Sequence, residues 1–244
     1  MLRWLSAPAL LRIEAPAAQA AQGVPAWGAG VAAAAALLPD LALRSARARF
    51  VVSDHLVRYL VLPWDASLGA RAERERYLRH HFESVYGPRA AHWHFAVDRD
   101  GGESTRVAAA IDGGLAEALK DAARRNGMRV ESVEPLAVAA YNRLLRGTPA
   151  DADCFFVMRE PGRLTALFVR GGAVQRVASQ RCAPAAGRGE LAALLAAEAV
   201  DAGLARDAAA AVYCASWPGA APELAGLHTL AELLAPGVAA GAPL

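Results

Sequence analysis

The residue types of a nucleophilic triad stand side by side at Ser53, Asp54 and His55. In a working triad, the hydroxyl, imidazole and carboxylate converge from separate segments of the chain, so that each side chain can bond to the next. Three consecutive residues in one turn cannot reach that geometry. Ser and Asp are common turn formers, because their short side chains bond nearby backbone N–H groups. We therefore interpret Ser53 and Asp54 as turn residues and keep nucleophilic chemistry as the minor alternative.

Four histidines form a second group with possible chemistry, since imidazole is a common metal ligand. They occur as two close pairs, His80 with His81 and His92 with His94. On a strand, His92 and His94 would share one face, with Trp93 on the other. No cysteine or carboxylate accompanies them at the spacing of a metal site, and adjacent residues on a helix point in different directions. We interpret all four as surface histidines and expect no bound metal.

The composition is that of a folded and nearly neutral protein. Its 244 residues are 55% hydrophobic and 20% charged, and the net charge is +2. That length allows one large domain or two lobes of ~100 residues. The arginines alternate with Glu and Asp instead of forming a basic stripe, so we expect no nucleic-acid partner. The three cysteines are far apart and lack zinc-site spacing, which is typical of a reducing, cytoplasmic setting.

Two apolar stretches could be taken for targeting or membrane segments. The run from Met1 to Leu11 is interrupted by Pro8 and followed by Arg12, which makes it too short for a secretory signal. The alanine-rich run from Val31 to Leu43 contains Pro39 and is too short to span a bilayer. We therefore expect no direct insertion into the membrane.

The first part of the chain alternates short strands with amphipathic helices. Asp112 is a suitable N-cap for one of these helices, and Asn126-Gly127 is a typical helix end. Glu134-Pro135 should open another helix, with proline in its first turn. From Leu10 onward, the pattern predicts strands at 10–14, 50–52, 57–62, 93–97, 106–111 and 128–133, and helices at 70–86, after Asp112 and from Glu134 to Gly147.

The second part of the chain begins with two tight turns in quick succession. Residues 153–182 should form three short strands, joined at Glu160-Pro161-Gly162 and at Gly171-Gly172. A helix at 189–202, a strand at 211–215 and a short helix starting at Pro222 should follow. The recurrence of strands followed by a helix predicts two α/β lobes. We place the first at 1–147, with a small subdomain inserted at about 64–111, and the second at 148–244.

Two short motifs and the order of the elements indicate a family. One strand ends in Val-Leu-Pro-Trp (61–64), and residues 129–139 read Arg-Val-Glu-Ser-Val-Glu-Pro-Leu-Ala-Val-Ala. With these motifs, the chain resembles the actin-like proteins of type IV pilus and type II secretion assembly, which include PilM, MshI and the cytoplasmic domain of GspL. The second motif is similar to that family's Val-Asp-Val-Glu-Pro-x-Ala segment, and the hairpins of 153–182 follow it at the distance expected in the family. GspL continues into a transmembrane helix, so we expect PilM or MshI to be the closer match.

The resemblance implies an α/β, actin-like (ribonuclease H-like) fold with two lobes of mixed sheet flanked by helices. In the ATP-binding members of this family, glycine turns hold the phosphates through backbone N–H groups, and an acidic residue positions the metal. The resemblance places the corresponding phosphate turn at Glu160, Gly162 and Thr165. Pro161 removes one backbone donor there, and Arg163 adds bulk where a phosphate would have to approach closely.

The two other turns expected to face a nucleotide are also unsuitable. Glu14-Ala15-Pro16 lacks a glycine, and Ser216-Trp217-Pro218-Gly219 carries a bulky indole and a second proline. We therefore interpret the protein as a degenerate ATPase with no catalytic residues and no expected cofactor. Weak binding of ATP with Mg²⁺ stays open, because Arg163 could attract a phosphate.

The resemblance further implies a non-catalytic scaffold of a type IV pilus or type II secretion assembly platform. In PilM, the cleft between the lobes receives the cytoplasmic tail of an inner-membrane partner, so we expect a PilN-like protein here. The protein would then be cytoplasmic and held at the inner membrane through that partner. Trp64 should pack under the first helix, or else belong to a partner-binding surface. The alternatives are an active ATPase of the actin and sugar-kinase type and a stand-alone regulatory domain.

Overall fold

The computed structural model describes residues 10–13, 27–39, 46–65, 68–98, 105–144, 153–184, 187–205, 210–216 and 226–229. The chain divides into two compact units, residues 1–146 and 147–244. The helices and strands of the first unit are β1 (Leu10–Ile13), α1 (Gly28–Leu37), β2 (Arg47–Val52), β3 (Val57–Pro63), α2 (Arg71–Tyr86), β4 (Trp93–Val97), β5 (Thr105–Asp112), α3 (Gly113–Arg125), β6 (Arg129–Pro135) and α4 (Leu136–Leu144).

The first unit contains a parallel sheet with the order β1-β2-β6. β2 is its middle strand, and its alternate residues Phe50 and Val52 are 0% exposed. α1 packs against α3 and β1, and α3 packs against β6. The side chain of Asp112 caps α3 as predicted, since its Oδ1 accepts hydrogen bonds from the backbone N–H groups of Gly114 and Leu115.

The other sheet of the first unit is antiparallel, with the order β3-β5-β4. α2 covers one of its faces, because its apolar residues Leu78 and Phe82 pack on Leu62, Ala108 and Ala110. The outer face of α2 is rich in Arg and Glu, so the helix buries a single narrow apolar stripe. A short 3₁₀ turn over Pro88–His92 leads from α2 into β4.

The second unit contains a five-stranded sheet and one helix in the described residues. Its elements are β7 (Cys154–Glu160), β8 (Arg163–Arg170), β9 (Ala173–Arg181), α5 (Arg188–Asp201), β10 (Ala211–Ser216) and β11 (Gly226–Thr229), with the strand order β11-β10-β7-β8-β9. β7, β8 and β9 form the predicted antiparallel meander, and β10 returns parallel to β7 after α5. Apolar residues of α5, Leu191, Leu194 and Leu195 among them, pack on Phe155 and Val157 of β7.

Three sequence predictions are wrong or incomplete. Pro135 does not open a helix; it is the last residue of β6, paired with Val52, and α4 begins at Leu136. Proline suits the end of an edge strand because it has no N–H to contribute to the ladder. The alanine-rich helix α1 was not predicted, since alanine alone gives no periodic apolar stripe. β11 was missed too; Pro222, predicted to start a helix, lies outside the described residues.

None of the helices in the described ranges is long and apolar enough to cross a membrane.

Candidate functional site

The turn between β7 and β8 is the centre of the predicted phosphate site. Glu160 pairs with Arg163 at the ends of the two strands, so Pro161 and Gly162 form a two-residue connection. Gly162 has φ 79°, and proline followed by such a glycine is the pattern of a type II turn. The carbonyl of Gly162 accepts a hydrogen bond of 3.1 Å from the backbone N–H of Cys182, which ties the turn to the chain beyond β9.

The side chains that the sequence assigns to this turn are buried. Glu160 is 4% exposed and Thr165 is 0% exposed. The hydroxyl groups of Thr165 and Ser179 lie 3.0 Å apart in hydrogen-bond contact, and Nη1 of Arg163 donates to the same Ser179 oxygen at 2.9 Å. The hydroxyl and guanidinium groups are therefore engaged with Ser179 inside the second unit, and Pro161 and Gly162 are only partly exposed.

The other two predicted nucleotide turns lie almost entirely outside the described residues. Glu14, Ala15 and Pro16 lie outside the described residues, and so do Trp217, Pro218 and Gly219. Ser216 is the last residue of β10, where it pairs with Arg159 of β7. The assignment of Glu160, Gly162 and Thr165 to a degenerate phosphate turn stays a prediction.

Trp64 lies immediately after β3 and is half-buried against the core under α2. Its ring meets that of Tyr77 edge to face, with the centroids 6.0 Å apart. The guanidinium carbon of Arg106 lies 5.0 Å from the Trp64 ring centroid, a cation–π distance. The indole thus packs in the subdomain and also presents part of its surface, and its role in binding a partner stays a prediction.

Asp54 has a structural role that the sequence did not reveal. Its side chain is 0% exposed, and Oδ1 accepts a hydrogen bond of 2.5 Å from the hydroxyl of Tyr59. Oδ2 accepts a bond of 3.1 Å from the backbone N–H of Ala137, in the first turn of α4. A carboxylate at a helix N-terminus is stabilised by the unpaired N–H groups and the helix dipole. Asp54 therefore joins the end of β2 to the start of α4, across 83 residues of sequence.

The neighbours of Asp54 in sequence form the predicted turn. Ser53 caps a 3₁₀ turn over Asp54–Leu56, and its Oγ accepts from the backbone N–H of His55 at 3.3 Å. This turn was predicted correctly, because Ser and Asp are short turn-forming side chains. No local signal in the sequence predicts the contact of Asp54 with Ala137.

The histidines do not converge in the described part of the chain. His80 and His81 are adjacent on α2 with ring centroids 5.6 Å apart, and burial beside Tyr77 lowers the pKa of His81. His94 lies on β4, where Nε2 is 3.3 Å from a carboxylate oxygen of Glu117. His92 ends the 3₁₀ turn instead of sharing a strand face with His94. Among the described residues, no three His, Cys, Asp or Glu side chains are grouped closely enough to hold a metal ion.

The three cysteines are free thiols. Burial raises the pKa of all three, most clearly that of Cys214, which it raises to about 11. Because the thiolate is the reactive form, these side chains are poor nucleophiles at neutral pH.

Comparisons with known proteins bear on the fold. No protein-family model and no curated protein matches the chain. Among solved structures, the cytoplasmic domain of EpsL, an inner-membrane component of the type II secretion system of Vibrio cholerae, is similar over 76% of this chain and 67% of its own, with a TM-score of 0.51 and 14% identity. The chain shares its fold with that domain. The mixed α/β class predicted from the sequence is thereby confirmed, and the resemblance to the secretion and pilus family is confirmed at the level of the fold.

Two further structures are similar over shorter shares of their length. One is a Bacteroides thetaiotaomicron protein with an actin-like ATPase fold and unknown function (TM-score 0.47, 8% identity, 70% of this chain and 59% of that one). The other is described as a PilM-PilN type IV pilus biogenesis complex (TM-score 0.47, 16% identity, 67% of this chain and 52% of that one).

Proposed function

We propose that this protein is a non-catalytic scaffold of a type II secretion or type IV pilus assembly platform at the inner membrane. The observation that carries the proposal is the fold shared with the EpsL cytoplasmic domain over 76% of the chain. The short motifs at 61–64 and 129–139 point to the same family independently of the fold. The protein would be cytoplasmic and held at the membrane by a partner.

The absence of enzymatic activity is part of the proposal and is supported by the β7–β8 turn. A phosphate cradle needs backbone N–H groups and polar side chains directed at the anion. Here Pro161 contributes no N–H, and the buried hydroxyl of Thr165 bonds to Ser179. Both features favour a turn kept for folding over a turn that holds ATP.

Nucleotide binding can be tested on the whole protein. We expect millimolar Mg-ATP to change the melting temperature by less than about 1 °C, because a ligand that does not bind the native state cannot stabilise it. We also expect no hydrolysis above the rate in buffer. A clear rise in melting temperature, lost in Thr165→Ala or Glu160→Gln, would establish the rival function of a working ATPase of the actin and sugar-kinase type.

The proposed partner is a PilN-like membrane protein with a short cytoplasmic tail. This choice rests on the resemblance in sequence, and a peptide bound in a groove or along a sheet edge requires no catalytic residues. The test is co-purification of the tagged protein with full-length and tail-deleted forms of the PilN-like protein encoded nearest to it. We expect retention of the full-length form alone. Equal recovery of both forms, or of neither, would contradict the proposal.

Trp64 offers a way to locate the binding surface. Trp64→Phe keeps an aromatic ring against Tyr77 but shortens the exposed part, so we expect weaker retention of the tail with little change in stability. Phe82→Leu is the matched control, since Phe82 packs in the same aromatic core and is 0% exposed. Equal losses of binding in the two variants would indicate that the effect comes from packing.

A further inference from the structure

The two edges of the β3-β5-β4 sheet differ in a way that follows from its hydrogen-bond register. In an antiparallel pair, the N–H and C=O of one residue point to the same side of the strand, and successive residues alternate sides. The backbone N–H of Asp98 donates to the carbonyl of Val107 at 2.9 Å, one step beyond the paired residues Val97 and Ala108. The residues of β4 that bond to β5 are therefore His94 and Ala96. The backbone groups of Trp93, Phe95 and Val97 point away from the sheet.

The same alternation directs the odd-numbered residues of β3 to the opposite edge, and there the protein's own side chains occupy the carbonyls. Nη1 of Arg58 donates to the carbonyl of Val57 at 2.7 Å, and the Tyr86 hydroxyl donates to that of Tyr59 at 3.3 Å. The Tyr77 hydroxyl donates to the carbonyl of Pro63 at 2.5 Å, and Pro63 has no N–H. Side chains thus occupy three outward carbonyls of the β3 edge, which makes it a poorer template for another strand.

The β4 edge has no such protection in the described part of the chain. There, no side chain bonds to the outward backbone groups of Phe95 or Val97, and β4 contains neither proline nor lysine. The side chains of Trp93, Phe95 and Val97 pack in the core with α2, so their backbone is held in extended form. A preformed strand of this kind is a template for another strand.

The surroundings of the β4 edge are positively charged. The guanidinium carbon of Arg79 lies 5.6 Å from the Phe95 ring centroid, and that of Arg89 lies 5.9 Å from the Trp93 ring centroid. A concavity of about 490 Å³ on α2 is lined by Arg79 together with Ala72, Glu75 and Arg76. Arg79 is paired with Glu75, with its Nη2 3.2 Å from Oε1. Arg76 and Arg89 therefore supply the excess positive charge near this edge, which favours an anionic ligand.

We propose that the β4 edge binds an extended acidic segment of a partner protein as an added strand. The outward N–H and C=O groups of Phe95 and Val97 bond to its backbone, and Arg76 and Arg89 attract its carboxylates. A second copy of this chain fits less well, because pairing two β4 strands about a twofold axis at Phe95 brings two Arg79 side chains together. The proposal goes beyond the scaffold function, since it does not require the segment to be a PilN-like tail.

Amide hydrogen exchange of the full-length protein tests the alternation directly. In the free protein, the amides of His94 and Ala96 should exchange slowly and those of Phe95 and Val97 rapidly. The probe is a synthetic octapeptide of alternating Val and Glu, compared with the same peptide of alternating Val and Lys. We expect the Glu peptide alone to slow exchange at Phe95 and Val97 by at least about tenfold, a protection that a paired edge requires.

Three outcomes would overturn the proposal. The first is slow exchange at Phe95 and Val97 in the free protein at every concentration, which would mean that the edge is already covered. The second is protection that grows with protein concentration and needs no peptide, which would identify a second copy as the occupant. The third is equal slowing of exchange by the Glu and Lys peptides, or no slowing by either, which would exclude an acidic segment as the ligand.

Two matched pairs of variants separate binding from folding. Arg89→Glu should lower the affinity for the Glu peptide by about three- to tenfold. Arg124→Glu, on the exposed face of α3, should leave that affinity unchanged. Val97→Pro removes one outward N–H from the β4 edge, and Val61→Pro makes the same change on the β3 edge. We expect only Val97→Pro to abolish the protection of Phe95. Retained protection in that variant, with the fold intact by circular dichroism, would contradict the proposal.

Discussion

A single buried carboxylate, that of Asp54, connects two distant parts of the first unit. It accepts from the hydroxyl of Tyr59 and from the backbone N–H of Ala137, so neither donor loses its partner inside the protein. Hydrogen bonds to a charged acceptor are stronger than those between neutral groups, and a buried donor left unpaired is costly. Asp54 therefore stabilises the fold much more than its exposed counterparts on the helices.

We expect Asp54→Ala to lower the free energy of unfolding by about 2–4 kcal/mol, because it leaves two buried donors without their acceptor. Tyr59→Phe removes only one of these bonds and should cost about 1–2 kcal/mol. Asp121→Ala is the control; its partner Arg124 has a side chain 79% exposed, so the loss should stay below about 0.5 kcal/mol. Urea unfolding of the three variants provides the measurement. Similar losses for Asp54→Ala and Asp121→Ala would contradict the role of Asp54.

The thiols should differ in reactivity in the order of their burial. Burial raises the pKa of Cys214 to about 11, so at pH 8 very little of it is thiolate, and Cys182 is the least buried of the three. We expect iodoacetamide at pH 8 to modify Cys182 first and Cys214 last, as followed by peptide mass spectrometry. Raising the pH toward 11 should accelerate the reaction, because the thiolate fraction grows. In urea the three rates should become equal; different rates there would point to a cause other than the fold.

The meander of the second unit depends on the turn at Gly162. A residue other than glycine is strained at φ 79°, so Gly162→Ala should lower the free energy of unfolding by about 1 kcal/mol. Gly189→Ala is the matched control on α5, where an added methyl group would meet open space. That variant should gain about 0.5–1 kcal/mol, since alanine favours the helix. Thermal melts of both proteins should therefore shift in opposite directions, and a shift in the same direction would show that the turn is not under this constraint.

The sequence predicted some features of the structure and missed others, and the difference has physical reasons. The turn at Pro161-Gly162 and the cap at Asp112 were predicted because the deciding interactions are local. Pro135 was predicted in the first turn of a helix but is the last residue of β6, because the fixed φ of proline suits a strand end and a helix start equally well. Asp54 was taken for an ordinary turn residue, because its acceptor role depends on α4, which only the fold brings near. The burial of Thr165 was unpredictable for the same reason.

At the scale of the whole molecule, each unit has its own core. The cluster of Phe155, Leu191 and Val212 contains residues of the second unit only, and that of Leu62, Leu78 and Phe82 contains residues of the first unit only. A chain with 14% identity to the EpsL domain keeps the fold because such cores require apolar residues of suitable volume, not particular ones. This is why no sequence match was found although two short motifs, at 61–64 and 129–139, indicated the fold.

Separate cores predict that the second unit folds by itself. We expect a fragment of residues 147–244 to give a strand-rich circular dichroism spectrum and one cooperative unfolding transition, because its sheet and α5 bury a common core. Leu195→Ala in the same fragment, which opens a cavity in that core, should lower its stability by about 2–4 kcal/mol. A fragment that lacks a cooperative transition would show that this core is insufficient without residues 1–146.

The side chains that occupy the β3 carbonyls limit how far the small sheet can extend. In polymer chemistry, a monomer with two reactive ends propagates a chain, whereas one with a single reactive end terminates it. Arg58, Tyr77 and Tyr86 occupy carbonyls on the β3 edge of the β3-β5-β4 sheet, so a strand added at β4 would leave only a poor template at the opposite edge. If β4 accepts a strand as proposed, the subdomain would act as a chain terminator, which takes up one strand and disfavours a fibril of its own copies.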